Sequence, residues 1–393
     1  MHTKKIKDNG NSVGENFFSS EEFGRYDRQI RLPQFGLMSQ TKLKKARVLV
    51  VGTGGLGSPL LLYLAAAGVG TLGLIDFDTV DESNLHRQVI FGQNQIGQAK
   101  VEAAKERLKE INPHIKVLIY NEKLTSSNAM EIVGDYEVVA DGTDNFPTRY
   151  LVNDACVLCE KPNVYGSVFK FEGQVSVFNF KNKNGELGPN YRDLYPTPPP
   201  AGLVPNCAET GVIGVLPGII GSMQALEVIK VIIGIGEPLS GKLFIFDALG
   251  FESRIFKVKR IPSNPLNGAN PSLTHLIDYE DFCGVMPVKE VTAKQLYQMK
   301  RKDAVFQLID VREKIEFDGG NLGGVLIPLS QMMDNYQKID RKKKVVVHCK
   351  SGGRSSQAIR SLEEKFGFDN LYNLKGGIDE YLKLIKAEDP SHD

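Results

Sequence analysis

The sequence has no excess charge of either sign: 48 lysines and arginines stand against 47 aspartates and glutamates. That balance points away from nucleic acid and from acidic membrane surfaces as partners. Cysteine is scarce. Five in 393 residues are too few for a disulfide framework, and an odd number suits a reducing compartment, so the cytoplasm is expected. The N-terminal MHTKKIKDNGNSVGENFF has no apolar core, and no secretory signal is expected there. The most apolar stretch, Val212–Ala225, contains Pro217 and glycines and runs into Glu227 and Lys230. It is read as too short and too broken to span a bilayer. Also missing is any GxxxxGK[ST] phosphate loop, so a triphosphate would have to be held by cations from elsewhere in the chain.

What is present centres on residues 47–76. Val48–Val51 is a short β-branched run, suited to one buried parallel strand. Gly52-Thr53-Gly54-Gly55-Leu56-Gly57 follows at once, then a helical segment from Ser58 to about Ala67, and a second apolar run, Thr71–Ile75, that ends on Asp76. This is a βαβ nucleotide-binding pattern. Its glycines (Gly52, Gly54, Gly55, Gly57) let backbone approach a phosphate at a helix N-terminus, and Asp76 is placed to accept from a ribose hydroxyl.

Polar and charged groups crowd the next stretch, which holds Asp78, Asn84, Arg87 and Gln88, with Lys100 beyond. Arg87 and Lys100 are two cations downstream of a loop that has no lysine of its own. Upstream, Arg25-Tyr26-Asp27-Arg28-Gln29 is a basic and aromatic cluster. Tyr136–Ala140 reads as a strand running into Asp141-Gly142-Thr143-Asp144-Asn145. Acids past the C-terminal end of a parallel strand sit where open α/β sheets bind ligands. Asp144 is therefore a candidate to hold Mg²⁺ through oxygen, or else to cap the helix that starts around Pro147. Residues 187–205 are proline-rich and are not expected to be regular. They end near Cys207, a candidate nucleophile or sulfur acceptor, or else an inert buried thiol. Residues 211–234 read as a helix buried on most sides. Cys156 and Cys159 form a CxxC on a predicted helix with no second pair, which suits core packing better than a metal.

A second α/β pattern begins near Pro287, after a Pro/Asn/Ser-rich stretch at 260–286 that reads as a linker. Its strand Val345–Val347 runs into His348 and then Cys349-Lys350-Ser351-Gly352-Gly353-Arg354-Ser355, followed by a helix. A cysteine in such a loop sits in a ring of backbone N–H groups that favours an anionic sulfur, whether persulfide or oxyanion. Cysteine phosphatases use a loop one residue longer between cysteine and arginine than the four residues here.

GxGGLG, DxDxVxxSNLxRQ, Lys100, TDN at 143–145 and the upstream RYxRQ together resemble the MoeB/ThiF family of adenylyltransferases, over about residues 21–258. CxxxxRS, a domain opening with LIDVRE and the glycine pair at 376–377 resemble the rhodanese family, over about 287–387. The resemblance implies an α/β protein with a Rossmann-like mixed-sheet adenylation domain at 21–259 and a smaller α/β rhodanese domain at 287–387. A disordered tail at 1–20 and a linker at 260–286 complete the division. It further implies that Gly55 and its neighbours line ATP and that Asp76 takes the ribose. Asn84, Arg87 and Lys100, with Asp78 and Gln88 beside them, bind the phosphates, and Asp144 holds magnesium. Arg28 would reach the site of a partner subunit in a homodimer. The implied reaction activates the C-terminal glycine of a ubiquitin-like sulfur carrier. A persulfide on Cys349, supplied by a cysteine desulfurase or another donor, then makes the thiocarboxylate, with Cys207 as a possible covalent participant. Molybdopterin, thiamin and tRNA-thiolation pathways all use such carriers.

Many members of the adenylating family carry two CxxC pairs in a structural zinc site. Asp193 stands where the first pair would lie, and residues 260–275 hold no cysteine, so no zinc is expected. Asn321 replaces a histidine found in many rhodaneses. Two rival readings stay open: an NAD(P)-dependent oxidoreductase, which ATP–pyrophosphate exchange would distinguish, and a non-catalytic scaffold for a ubiquitin-like partner.

Overall fold

The computed structural model describes residues 17–199, 211–284 and 288–388. They form two compact units, one ending at Cys283 and the other starting at Gly284.

In the first unit, short β-branched runs form strands because both faces of a parallel sheet are covered. β1 (Arg47–Val51), β2 (Thr71–Ile75) and β4 (Val138–Asp141) are buried almost throughout. With β3 (Lys116–Tyr120), β5 (Asn163–Phe169), β6 (Glu172–Phe178), β7 (Lys242–Asp247) and β8 (Glu252–Lys257) they make one sheet in the order β3-β2-β1-β4-β5-β6-β7-β8. Pairing is parallel from β3 to β5 and antiparallel from β5 to β8. The strand order reverses direction between β1 and β4, the kind of switch point where α/β sheets bind ligands. Helix α1 (Ser20–Ile30) precedes α2 (Gly36–Lys45), and α3 (Gly57–Ala67) follows the glycine loop. Further on lie α4 (Lys100–Ile111), α5 (Ala129–Gly134) and α6 (Phe146–Leu158).

Four expectations are corrected. Ordered structure begins before residue 20: Phe18 is buried and Ser19 forms a capping box with Glu22 at the start of α1. The 187–205 stretch contains a short helix, α7 (Tyr191–Leu194), because Asn190 and Asp193 cap it before the prolines begin. The apolar helix α8 is unbroken from Val215 to Ile233, 19 residues with mean hydropathy 1.6. Pro217 falls in its first turn, where no N–H is required, so length and composition would let α8 cross a membrane. Here it is a core helix against α3, β5 and β6.

The fourth correction concerns residues 260–283, expected as a linker. They are packed onto the first unit by buried polar contacts. Asp193 accepts from Ile261 N–H at 2.9 Å and from Asn264 Nδ2 at 2.8 Å, and Asn190 accepts from Asn264 Nδ2 at 3.1 Å. Farther along, helix α9 (Tyr279–Phe282) is held by the Tyr279 hydroxyl, 2.8 Å from Asp154 Oδ2. Arg192 grips the same carboxylate through Nε at 2.9 Å and Nη2 at 2.7 Å, and packs against the touching rings of Tyr150 and Phe282. Buried charges require such pairing.

The second unit is a parallel sheet in the order β11-β10-β12-β13-β9. Its strands are β9 (Glu290–Val291), β10 (Phe306–Asp310), β11 (Val325–Leu326), β12 (Lys344–His348) and β13 (Leu371–Leu374). Thr292 caps the helix Ala293–Arg301 through a capping box with Gln295.

Candidate functional sites

The first site gathers at the C-terminal ends of β1, β2 and β4. A Cβ on Gly57 would lie 2.1 Å from Gly52 O, so only glycine lets α3 start so close to the strand. Gly54 faces Gln88 Nε2, and Gly55 faces Arg87 Cδ at 3.7 Å from its Cβ position. An arginine therefore lies over the glycine loop. Asn84 Oδ1 accepts from Arg87 Nη2 at 3.0 Å and from Gln88 Nε2 at 2.9 Å, tying the three together. Gln88 is buried, and its Oε1 has no partner among the described residues.

Asp76 accepts Thr53 N–H at 2.8 Å and Thr53 Oγ1 at 2.9 Å through Oδ2, and Asp78 N–H at 3.0 Å through Oδ1. It holds the loop as well as pointing at the site. Lys100, at the start of α4, is buried, and its ammonium is 2.9 Å from Asp78 Oδ2. The two therefore meet as an ion pair.

At the end of β4 the capping alternative for Asp144 is overturned. Asn145 is the N-cap of α6, accepting Thr148 N–H at 3.0 Å. Asp144 itself is exposed, with no hydrogen bond or ion pair among the described residues. The sequence reading missed what supports it. Asp141 is fully buried and accepts Thr143 N–H at 2.9 Å and Thr143 Oγ1 at 2.6 Å. Burial pushes its carboxyl above the usual range, opposed by Arg149 and the Thr143 hydrogen bonds. Arg149 Nη2 also donates to Thr143 O, and buried Gln224 of α8 donates to Asp141 O at 2.8 Å. The one available signal was Gln224, a polar residue inside a mostly apolar helix.

Arg28 lies exposed on α1 and forms no ion pair among the described residues. Cys207 lies outside the described residues. Cys156 is fully buried and its thiol is pushed up by burial, so it packs as an apolar group. Among the described residues no cluster of three or more His, Cys, Asp and Glu side chains has metal-holding geometry.

The second site is the loop from Cys349 to Arg354, between β12 and the helix Gly353–Phe366. Gly352 takes φ +102°, which a side chain would strain, and its N–H donates to Cys349 Sγ at 3.1 Å. Arg354 forms a two-pronged pair with Glu316, at 2.7 and 2.6 Å. The Arg354 hydrogen bonds pull the Glu316 carboxyl down to about 2, with burial opposing. Ile378 N–H donates to Cys349 O and Asp379 N–H to Lys350 O, so the helix after Gly376-Gly377 braces the loop. In LIDVRE, Asp310 grips Arg312, whose Nη2 donates to Gly320 O. His348, 3.7 Å from Asp310, is held neutral by burial, with the Asp310 charge opposing. Asn321 caps its own turn through Phe317 O and Gly323 N–H.

A Rossmann-like sheet with a cation over its glycine loop, in one chain with a cysteine anion loop, defines the class: an adenylating enzyme joined to a sulfur-transfer domain. The chain belongs to the ThiF family, whose profile matches residues 26–266, and a rhodanese-like domain profile matches residues 292–384. It is similar to the probable adenylyltransferase/sulfurtransferase MoeZ of Mycobacterium tuberculosis (strain CDC 1551 / Oshkosh), 44% identical over 381 residues that cover 94% of this chain and 95% of the relative. The sulfur carrier protein adenylyltransferase of Thermus thermophilus is 51% identical over 268 residues, which cover 68% of this chain and 99% of that protein. Among solved structures, Escherichia coli MccB with MccA-N7isoASN shares the fold at TM-score 0.55, with 22% identity, over 64% of this chain and 76% of that one. The protein is an adenylyltransferase and sulfurtransferase.

Proposed function

We propose that the first domain uses ATP to adenylate the C-terminal glycine of a ubiquitin-like sulfur carrier protein, and that Cys349 then delivers the sulfur. The observation that carries the reading is Arg87 lying over the glycine loop, with Lys100 pairing Asp78 nearby. Attack at the α-phosphorus of a triphosphate needs positive charge placed around the phosphates.

Gly52, Gly54, Gly55 and Gly57 line the nucleotide, and Asp76 keeps acceptor capacity for the ribose. Asn84, Arg87, Gln88 and Lys100 take the phosphates, with Lys100 leaving Asp78. An exposed, unpaired Asp144 fits magnesium, which binds through one or two protein carboxylates and completes its shell with phosphate oxygens and water. When bound it neutralises phosphate charge. The carrier carboxylate attacks the α-phosphorus, an O–P bond forms, and pyrophosphate leaves.

The outer sulfur of the Cys349 persulfide then attacks the acyl carbon. A C–S bond forms, the C–O bond breaks, and AMP leaves. A thiolate, for which Cys207 is the chain's own candidate, attacks Cys349 Sγ and frees the carrier thiocarboxylate. An external thiol reduces the resulting disulfide. A cysteine desulfurase is the proposed sulfur donor, and the free thiols of the described cysteines suit the cytoplasm.

A homodimer in which Arg28 serves the partner's site completes the proposal. Exposed Met38, Tyr63 and Leu226, on α2, α3 and the α8 helix that packs against both, offer it an apolar face. The outermost strand β8, with exposed Ile255 and Phe256, offers the carrier an edge to dock on.

Intact mass spectrometry of candidate carriers, incubated with the protein, Mg·ATP and a sulfur source, tests the whole. The expected result is one sulfur gained in place of one oxygen, lost in both D144N and C349A. Sulfuration that survives C349A at the wild-type rate would refute the second step, and the carrier that reacts names the pathway.

A further inference from the structure

One contact behind the cysteine loop has no part in these steps. Ser355, in the first turn of the helix Gly353–Phe366, is fully buried with its Oγ 3.5 Å from Cys349 Sγ. The same oxygen is 2.6 Å from Asn373 Oδ1 and 3.1 Å from Gly352 O. Asn373 comes from β13 and is also buried. A serine hydroxyl carries one hydrogen, and an amide oxygen can only accept. The short contact therefore commits that hydrogen to Asn373 and leaves a lone pair of Ser355 facing the sulfur.

We propose that Asn373 is a positioning residue that withholds the Ser355 proton from Cys349 Sγ, so that the thiolate, which already accepts Gly352 N–H, carries no hydroxyl donor as well when it collects sulfur. The inference rests on the reading of Cys349 as the sulfur carrier. In the collecting step the Cys349 thiolate attacks the terminal sulfur of a persulfide donor R–S–SH. A new S–S bond forms at Cys349, the donor's S–S bond breaks, and R–S⁻ leaves and takes the proton. A hydroxyl donating to the thiolate would stabilise it and lower its nucleophilicity. In the finished persulfide the charge sits on the outer sulfur, so Sγ again needs no donor. The charged groups around the sulfur are Arg354, paired with Glu316 of Lys314–Asp318, Lys350 on the loop itself, and Asp379, whose N–H meets Lys350 O. The substitutions below change none of them.

The test is the pH profile of Cys349 alkylation by iodoacetamide in the full-length protein, read by peptide-resolved mass spectrometry. N373L frees the Ser355 proton to swing onto the sulfur. The pH of half-maximal alkylation then falls by about one unit, the worth of one hydrogen bond to a charged group, and the plateau rate falls by roughly three-fold. S355A/N373L abolishes the downward shift, and S355A alone, which removes a hydroxyl that does not donate to the sulfur, leaves the profile in place. A profile for N373L that stays in place or moves up overturns the proposal. So does an upward shift in S355A, which covers the case of N373L failing to fold. Alkylation reports on Sγ whether or not Cys349 carries sulfur. Sulfur loading from a persulfide donor, scored on the same samples, tests the carrier reading separately.

Discussion

Arg192 is a residue whose loss the structure makes costly in the first domain. Its side chain is 2% exposed and that of Asp154 is 0% exposed. Two hydrogen bonds join them, and the guanidinium packs against the rings of Tyr150 and Phe282. In R192L the Asp154 carboxylate stays buried with only the Tyr279 hydroxyl and the neighbouring Asn153 amide to meet it. Removing one partner of a buried pair costs roughly 3–5 kcal/mol, a large fraction of the roughly 5–15 kcal/mol that holds a domain together. The escape open to the variant is to fold with that carboxyl protonated, which costs about 1.4 kcal/mol for each pH unit above the usual value of about 3.9, or roughly 4 kcal/mol at pH 7. The two figures agree. A carboxyl protonated only in the folded form makes that form bind the extra proton, so the variant regains stability as pH falls and loses it as pH rises. The deficit against wild type should therefore shrink by about 1.4 kcal/mol between pH 7 and pH 6. The chain has no tryptophan, so urea unfolding is best followed by circular dichroism. The apolar double variant R192L/D154L should recover most of the loss. A deficit below about 1 kcal/mol, in the range of an exposed pair, or one equal at pH 6 and pH 7, would refute the reasoning.

K100M should cut kcat/KM for ATP in pyrophosphate exchange by roughly 10²–10³-fold, the usual loss for one preorganised charge-stabilising donor, while the fold survives because the Asp78 it leaves behind is half exposed. An exchange rate equal to wild type would remove Lys100 from the phosphate site. For the second domain, Arg354 lowers the Glu316 carboxyl from its usual 4.5 to about 2, so its contribution to stability is complete above pH 4.5 and is lost as pH falls toward 2. The stability gap between wild type and E316Q should close over that window, and a gap that widens on acidification would contradict the pairing.

Both loops were legible in the sequence because each packs its chemistry into a few consecutive residues. Gly52 to Gly57 and Cys349 to Arg354 need only a strand before and a helix after, and local periodicity reports both. The supports of those loops were not legible. Gln224 reaches Asp141 across 83 positions and Tyr279 reaches Asp154 across 125, and no period within either segment encodes the meeting. The same blindness turned residues 260–283 into an expected linker, since Pro, Asn and Ser look alike in a coil and in a strap tied down through Ile261, Asn264 and Tyr279. Asn145 taking the cap from Asp144 is a one-residue ambiguity, settled only by which side chain meets Thr148 N–H.

That strap also sets where the gene for the first domain effectively ends. A fragment cut after residue 259 would keep every nucleotide-binding residue and still strip Asp193 of Ile261 and Asn264, and Asp154 of Tyr279. A cut after Cys283 removes none of these contacts. A segment joined beyond that point adds to a finished fold, so a sulfur-handling module could be gained or lost there by a single recombination without rebuilding the adenylating one.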